Sequence, residues 1–251
     1  MKDTQCLGIL LPEDGPPDYE WYGLDRQCDP VANGLPSIAV GKVISDGHHE
    51  HTALMALGAT DRLAAVGEPL VRDSAARAVV WACTSGSFIG GLEWSLAQSR
   101  ELSQRLGVPV TSTALAFRAA LAALDQSRVD LLSPYPPAVT ERLVQFLHDS
   151  GVKVENLQAL DCPYAADSHR LDIVTAVSDF ASEHRASRNP LLVPDTAINT
   201  LELVETMQHE AGRMVLTANQ VSLWVGLRLL LRSGGPARYL QALSEAPLPS
   251  S

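Results

Sequence analysis

Short apolar runs alternate with longer stretches of helical spacing along almost the whole chain, and this alternation restricts the fold more than any other feature. Leu7 to Leu11, Ser37 to Val43, Ala78 to Cys83, Pro109 to Thr113, Val129 to Pro134, Val152 to Leu160, Leu191 to Pro194 and Met214 to Ala218 are the predicted strands. Near-continuous apolar strands are those of parallel sheets covered by helices on both faces. Helical spacing fills the intervals from Glu93 to Leu106, closed by Gly107 as a C-cap, and then from Ala114 to Leu124, Ala138 to Ser150, Ser168 to Ser182, Thr200 to Ala211 and Gln220 to Leu231. The expectation is an α/β fold with parallel sheets.

Two predicted strands end alike. Val79-Val80-Trp81-Ala82-Cys83-Thr84 and Leu191-Leu192-Val193-Pro194-Asp195-Thr196 each run from apolar residues to a reactive or ionisable side chain and then a threonine, nearly half the chain apart. This points to two similar halves offering strand C-termini to one cleft, where open α/β sheets bind ligands. Between the first two strands, Pro12, Pro16, Pro17, Pro30, Pro36 and interspersed glycines predict a long irregular segment. Its Tyr19, Trp21 and Tyr22 either close over an apolar substituent or pin the segment to the body.

Composition excludes several functions. Among 251 residues, 29 acidic and 19 basic side chains give a net charge of −10, without the clustered Lys and Arg that displace counterions from phosphates. Nucleic acid is therefore not an expected partner. No apolar run reaches the roughly 18 to 20 residues of a membrane span, and the opening Met1-Lys2-Asp3 and Pro12-Glu13-Asp14 do not frame a signal peptide. Cys6, Cys28, Cys83 and Cys162 are scattered without a C-x-x-C pair, which suits a reducing, cytoplasmic setting. Cys6, Cys28 and Cys162 are read as structural.

Cys83-Thr84-Ser85-Gly86-Ser87 follows a buried strand and opens a helix, where a thiol pKa falls and N–H groups and hydroxyls can hold an anion. The alternative is a buried small hydrophobe beside an ordinary N-cap. His48, His49 and His51 follow the Asp46-Gly47 turn at i, i+1 and i+3 and read as a solvated helix start; only His48 and His51 could share a helix face and no further ligands accompany them, so no metal is expected, the alternative being that one of the three reaches the cleft. Neither G-x-G-x-x-G nor a Walker sequence occurs, so no nucleotide cofactor is indicated.

Trp81-Ala82-Cys83-Thr84-Ser85-Gly86-Ser87-Phe88-Ile89-Gly90-Gly91 resembles the first catalytic loop of the arylmalonate decarboxylase and maleate cis-trans isomerase family, within the aspartate/glutamate racemase superfamily. Gly107-Val108-Pro109-Val110, Leu131-Leu132-Ser133-Pro134-Tyr135, Leu191 to Leu201, and Met214 to Leu229 with Asn219 and Trp224 resemble later parts of those enzymes. The resemblance implies two Rossmann-like, flavodoxin-like halves related by pseudo-twofold symmetry around one cleft. It places 1–110 in the first half with 220–235 packing back on it, 111–219 in the second, and 236–251 in a frayed tail. It further implies cofactor-independent chemistry beside a carboxylate of a small substrate, and leaves a homo-oligomeric state open. Thr84 and Ser85 fall on the family's oxyanion donors and Tyr135 on its tyrosine.

The departures are specific. Asp195 stands where the family has its second cysteine, so a two-thiol mechanism is unavailable. Facing an anionic substrate, this carboxylate is expected to serve as an acid or base near neutrality, with Thr196 beside it; the alternative is a helix cap. The family's asparagine after the first strand is replaced by Leu11-Pro12-Glu13. The expected activity is decarboxylation of a malonate-like acid through an enediolate, with Cys83, Asp195 and Tyr135 catalytic, and Thr84, Ser85, Thr196 and Asn219 binding substrate. The alternatives are maleate-type isomerisation with Cys83 as nucleophile, and a non-catalytic carboxylate binder. No Lys or Arg marks these motifs, so attraction for a carboxylate must come locally from N–H groups and hydroxyls.

Overall fold

The computed structural model describes residues 6–13, 20–21 and 36–230. Tyr19, Tyr22, Cys28 and the expected frayed tail lie outside the described residues. Among those described, eight strands form two four-stranded parallel sheets. The first contains β1 (Cys6–Pro12), β2 (Ser37–Val43), β3 (Ala76–Trp81) and β4 (Val110–Ser112), in the order β2-β1-β3-β4. The second contains β5 (Arg128–Ser133), β6 (Lys153–Ala159), β7 (Leu191–Val193) and β8 (Val215–Thr217), in the order β6-β5-β7-β8. The two orders are the same: β5 is the counterpart of β1, β6 of β2, β7 of β3 and β8 of β4. This is the flavodoxin-like order of a doubly wound sheet.

All eight predicted runs are strands, and the central ones are covered on both faces. Leu7, Ile9, Leu10, Val79, Val80 and Trp81 are fully buried, as are Val129, Leu131, Leu191 and Val193. The edge strands β2 and β6 are only partly covered, as sheet edges are.

The helices are α1 (His51–Leu57), α2 (Thr60–Asp73), α3 (Ser85–Phe88), α4 (Leu92–Leu106), α5 (Thr113–Ala123), α6 (Pro137–Asp149), α7 (Ala165–His169), α8 (Ile173–Glu183), α9 (Val204–Ala211) and α10 (Ala218–Leu229). Gly107 ends α4 with φ +66°, the left-handed cap expected of it. One predicted helix is two. Asp172 Oδ1 accepts the Thr175 amide at 3.1 Å, which starts α8 afresh after α7. Helix α2 carries Pro69 in its interior, a breaker that hides it from a reading by periodicity.

Helices α5 and α10, which follow the counterpart strands β4 and β8, pack on each other, and Thr113 Oγ1 hydrogen-bonds Ser222 Oγ at 2.7 Å between them. Helix α10 is buried on all sides from Ala218 to Leu227. It leaves the second sheet and lies against β3 and β4 of the first; a Cβ on Gly226 would stand 2.7 Å from Leu7 Cδ2 and 3.1 Å from Val80 Cγ2. One large core therefore runs through both sheets, and a smaller one around Val177, Phe180, Val193 and Met207 fills the second half.

Candidate active site

Two residues beyond the ends of β3 and β7 stand Cys83 and Asp195, at equivalent places in the two halves. Both line one cleft, and each is 4% exposed. The cleft encloses about 590 Å³, counting the space open at its mouth.

The Cys83 loop is held by near neighbours. Gly86 N donates to Cys83 Sγ at 3.3 Å, and Ser85 Oγ lies 3.8 Å from the sulfur. A side chain at Gly86 would obstruct this, since its Cβ would meet Sγ at 3.1 Å and Trp81 Cζ2 at 3.2 Å. Trp81 Nε1 donates to the Gly86 carbonyl at 3.3 Å, and Gln98 Nε2 donates to the Gly58 carbonyl at 2.6 Å. Gly58 abuts the same loop so closely that a Cβ there would fall 2.3 Å from the Gly86 carbonyl oxygen. The amide on Sγ stabilises negative charge on the thiol. Ser85 reaches the cleft; Thr84 Oγ1 is buried without a hydrogen-bond partner among the described residues.

The Asp195 loop is held from a distance. Tyr135, fully buried after β5, donates its hydroxyl to the Pro194 carbonyl. Burial above all, and then the negative charges of Asp195 and Cys83, push its phenol pKa well above the usual value, so it remains a neutral donor engaged with the backbone. The hydroxyl thus braces the Asp195 loop while standing close enough to Cys83, Thr84 and Ser85 for all three to act on it. Asn219, also expected to bind substrate, directs Nδ2 to the Thr196 carbonyl at 3.3 Å, the Ile198 carbonyl at 3.2 Å and Glu20 Oε2 at 2.6 Å. Glu20 Oε1 accepts the Leu201 amide at 2.5 Å. Burial raises the Glu20 pKa to about 7, against the lowering effect of the bonds from Leu201 and Asn219. Next to Glu20, Trp21 is buried and lines the cleft.

Asp195 Oδ1 accepts the Ala197 amide at 3.0 Å, a bond within a turn; the next helical turn begins only at Leu201, so the bond caps no helix. Oδ2 is buried, has no hydrogen-bond donor among the described residues, and faces His49 Nε2 at 4.0 Å. The turn thus occupies one oxygen and leaves the other to the cleft. Thr196 lines the wall beside it.

His49 departs from the sequence expectation. It is 7% exposed, stacks edge-on against Tyr135 with centroids 4.9 Å apart, and lies before the helix instead of in its solvated first turn. Glu50 caps α1 by accepting the Thr52 and Ala53 amides, a task seldom given to glutamate, so the sequence carries little sign of the true helix start. His49 N donates to the Pro163 carbonyl at 2.8 Å, and His48 stacks on Tyr164 at 4.6 Å. The segments after the counterpart strands β2 and β6 thereby clasp each other across the cleft. His49 Nδ1 lies 2.8 Å from the Cys162 carbonyl. A carbonyl only accepts, so Nδ1 carries hydrogen, and in that tautomer the Nε2 lone pair points toward Asp195. Cys162 is buried, in keeping with its expected structural place, and burial raises its thiol pKa.

Leu11, Trp21, Leu54 and Leu57 supply apolar wall, and no Lys or Arg lines the cleft among the described residues. Among those residues no group of three or more His, Cys, Asp or Glu is placed to hold a metal ion, and no helix is long and apolar enough to cross a membrane.

Comparison with known proteins shows relatives of the same fold. Arylmalonate decarboxylase of Bordetella bronchiseptica is 26% identical over 157 residues, 62% of this chain and 64% of that protein. Maleate isomerase of Nocardia farcinica is 28% identical over 172 residues, 64% of this chain and 66% of that protein. The chain thus spans just under two thirds of the length of these curated relatives. Among solved structures, the maleate isomerase Iso of Pseudomonas putida superposes with a TM-score of 0.84 at 17% identity, covering 97% of this chain and 99% of that one. A cysteine-to-serine mutant of the Nocardia farcinica maleate cis-trans isomerase, with a covalently bound succinylcysteine intermediate, gives 0.76 at 20% identity, covering 90% and 92%. The family profile described as arylmalonate decarboxylase matches residues 54–238, most of the chain and all of β3 to α10, and the chain belongs to that family.

Proposed function

We propose that the protein is a cofactor-independent decarboxylase of small malonate-like acids, with Cys83 as the proton donor. The observation that carries this reading is the buried Cys83 thiol, with the Gly86 amide on its sulfur and Ser85 beside it, facing a cleft wall of Leu11, Leu54 and Leu57. In the reaction, the bond from the α-carbon to one carboxylate breaks and carbon dioxide leaves with its carbon. The electron pair stays behind as an enediolate on the remaining carboxylate. Ser85, with Thr84 next to it, donates to the enediolate oxygen, where charge grows. Cys83 gives its proton to the α-carbon, and the thiolate, eased by the Gly86 amide, regains a proton from solvent. A carboxylate held against apolar side chains without a cation is poorly solvated, and its loss as neutral carbon dioxide relieves that.

The same wall weighs against maleate isomerisation, in which both carboxylates persist throughout and both need stabilisation. The relative with a succinylcysteine keeps that second reading in view, because the Cys83 sulfur is equally accessible to nucleophilic addition. A panel of malonates and maleate, followed by proton NMR in deuterated water, separates the outcomes. Carbon dioxide with one deuterium at the product α-carbon is the expected result. Fumarate from maleate without carbon dioxide would replace decarboxylation by isomerisation. If no substrate turns over but a carboxylate slows iodoacetamide labelling of Cys83, the protein is a non-catalytic carboxylate binder; if neither occurs, both readings fail.

A further inference from the structure

The second-half wall of the cleft holds two hydrogen-bond acceptors converging on one point. Asp195 Oδ2 is buried and accepts no hydrogen bond from the described residues, while Oδ1 takes the Ala197 amide. His49 Nε2 stands 4.0 Å from it and, with Nδ1–H committed to the Cys162 carbonyl, is an acceptor in the neutral ring. The two atoms are too far apart to bond each other. An atom about 2.9 Å from each would see them at an angle of about 90°, within reach of two hydrogens on one nitrogen. Tyr135 fixes this arrangement from both sides, with its ring against His49 and its hydroxyl on the carbonyl of Pro194. A carboxylate placed here would meet Asp195, and an alkyl group would leave both acceptors buried and unmatched. A group with two donors and positive charge matches both.

We propose that Asp195 and His49 form a subsite for an amino group on the substrate α-carbon, so that the substrates are α-amino dicarboxylic acids of the malonate type. The proposal rests on the decarboxylase reading for the chemistry that follows, but the subsite itself is a matter of binding. It also accounts for an acidic protein whose described cleft lacks Lys and Arg: a zwitterionic ligand brings its own cation. Decarboxylation of such a substrate replaces one carboxylate by hydrogen at the α-carbon and yields carbon dioxide and an α-amino acid. Asp195 takes the position of a second thiol without its task.

Aminomalonate and methylmalonate differ in one group of nearly equal size and are the probes. Titration calorimetry on the full chain is expected to give aminomalonate an affinity at least tenfold above that of methylmalonate. In Asp195→Asn, which keeps the shape and removes the charge, the ratio is expected to fall below threefold. Equal affinities, a preference for methylmalonate, or no binding of either would overturn the subsite, whatever the behaviour of the variant. A parallel assay for carbon dioxide keeps the two readings apart. Tight, selective aminomalonate binding without carbon dioxide or glycine leaves the subsite and removes the decarboxylase; carbon dioxide from methylmalonate with no preference for the amino group does the reverse.

Discussion

The loops after β3 and β7 occupy equivalent places in two sheets of the same strand order, yet they are held in opposite ways. Around Cys83 the supports are close packing and the backbone itself: Gly86 lets its amide reach the sulfur, Gly58 abuts the Gly86 carbonyl, and Gln98 ties the two together. Around Asp195 the supports are polar side chains from distant parts of the chain, namely Tyr135 on Pro194, Asn219 on Thr196 and Ile198, and Glu20 on Leu201. A loop fixed by packing tolerates no added atoms but is indifferent to pH. A loop fixed by polar struts depends on each strut and on its protonation.

The largest expected effect tests which loop does the chemistry. Cys83→Ala should lower kcat by about 10³-fold or more with the fold intact by circular dichroism, as loss of a positioned proton donor does; near-normal turnover would put the chemistry elsewhere. The next effect belongs to the second loop alone. Glu20 has its pKa raised from 4.5 to about 7 by burial, so the folded state holds the proton more tightly than the unfolded chain. Its stabilising contribution is whole below about pH 4.5 and is lost as pH rises through about 7, by up to about 3 kcal/mol. Urea unfolding at pH 5 and pH 8 should show this loss in the wild type and not in Glu20→Gln. If both proteins have the same pH slope, Glu20 is not a strut that matters.

Gly58→Ala should act through the first loop, forcing the Gly86 carbonyl to move and destabilising the fold by about 2 kcal/mol. Because Cys83 moves with that loop, kcat should fall further than KM rises, on the order of tenfold. The smallest effect is Tyr135→Phe, which removes the hydroxyl from the Pro194 carbonyl and should cost about 1 kcal/mol in denaturant unfolding. A change in KM for aminomalonate exceeding that for methylmalonate would mark Tyr135 as a positioning residue of the Asp195 loop.

The same contrast explains what the sequence disclosed. The sheets were legible because their strands are apolar on both faces, and the first loop was legible because its determinants lie within a few residues: a thiol, hydroxyls and glycines in one stretch. Two similar halves were legible from the two matching strand ends, whereas the flavodoxin-like arrangement within each was implied only by the family resemblance, since alternation does not fix strand order. Which of the three histidines enters the cleft was not legible, because the orientation of His49 is set by the Cys162 and Pro163 carbonyls across the cleft and by an uncommon glutamate cap. Tyr135 and Asn219 were visible as residues, but their partners are backbone carbonyls of the Asp195 loop, and no local pattern encodes such pairings. Glu20 lies in a segment that reads only as irregular, and its partners are far along the chain in Leu201 and Asn219.

Helix α10 follows the last strand of the second sheet yet covers β3 and β4 of the first. About a hundred residues separate the end of α5 from the end of α10. A ribosome adding roughly 5–20 residues per second needs on the order of 5–20 s to deliver them. Throughout that interval Leu7 and Val80, which close on Gly226 in the finished protein, lack the α10 helix on that face, although α2 already packs on the same strands. The nascent first sheet is thus a ready target for chaperones, and a ribosome stalled before residue 218 would leave it open.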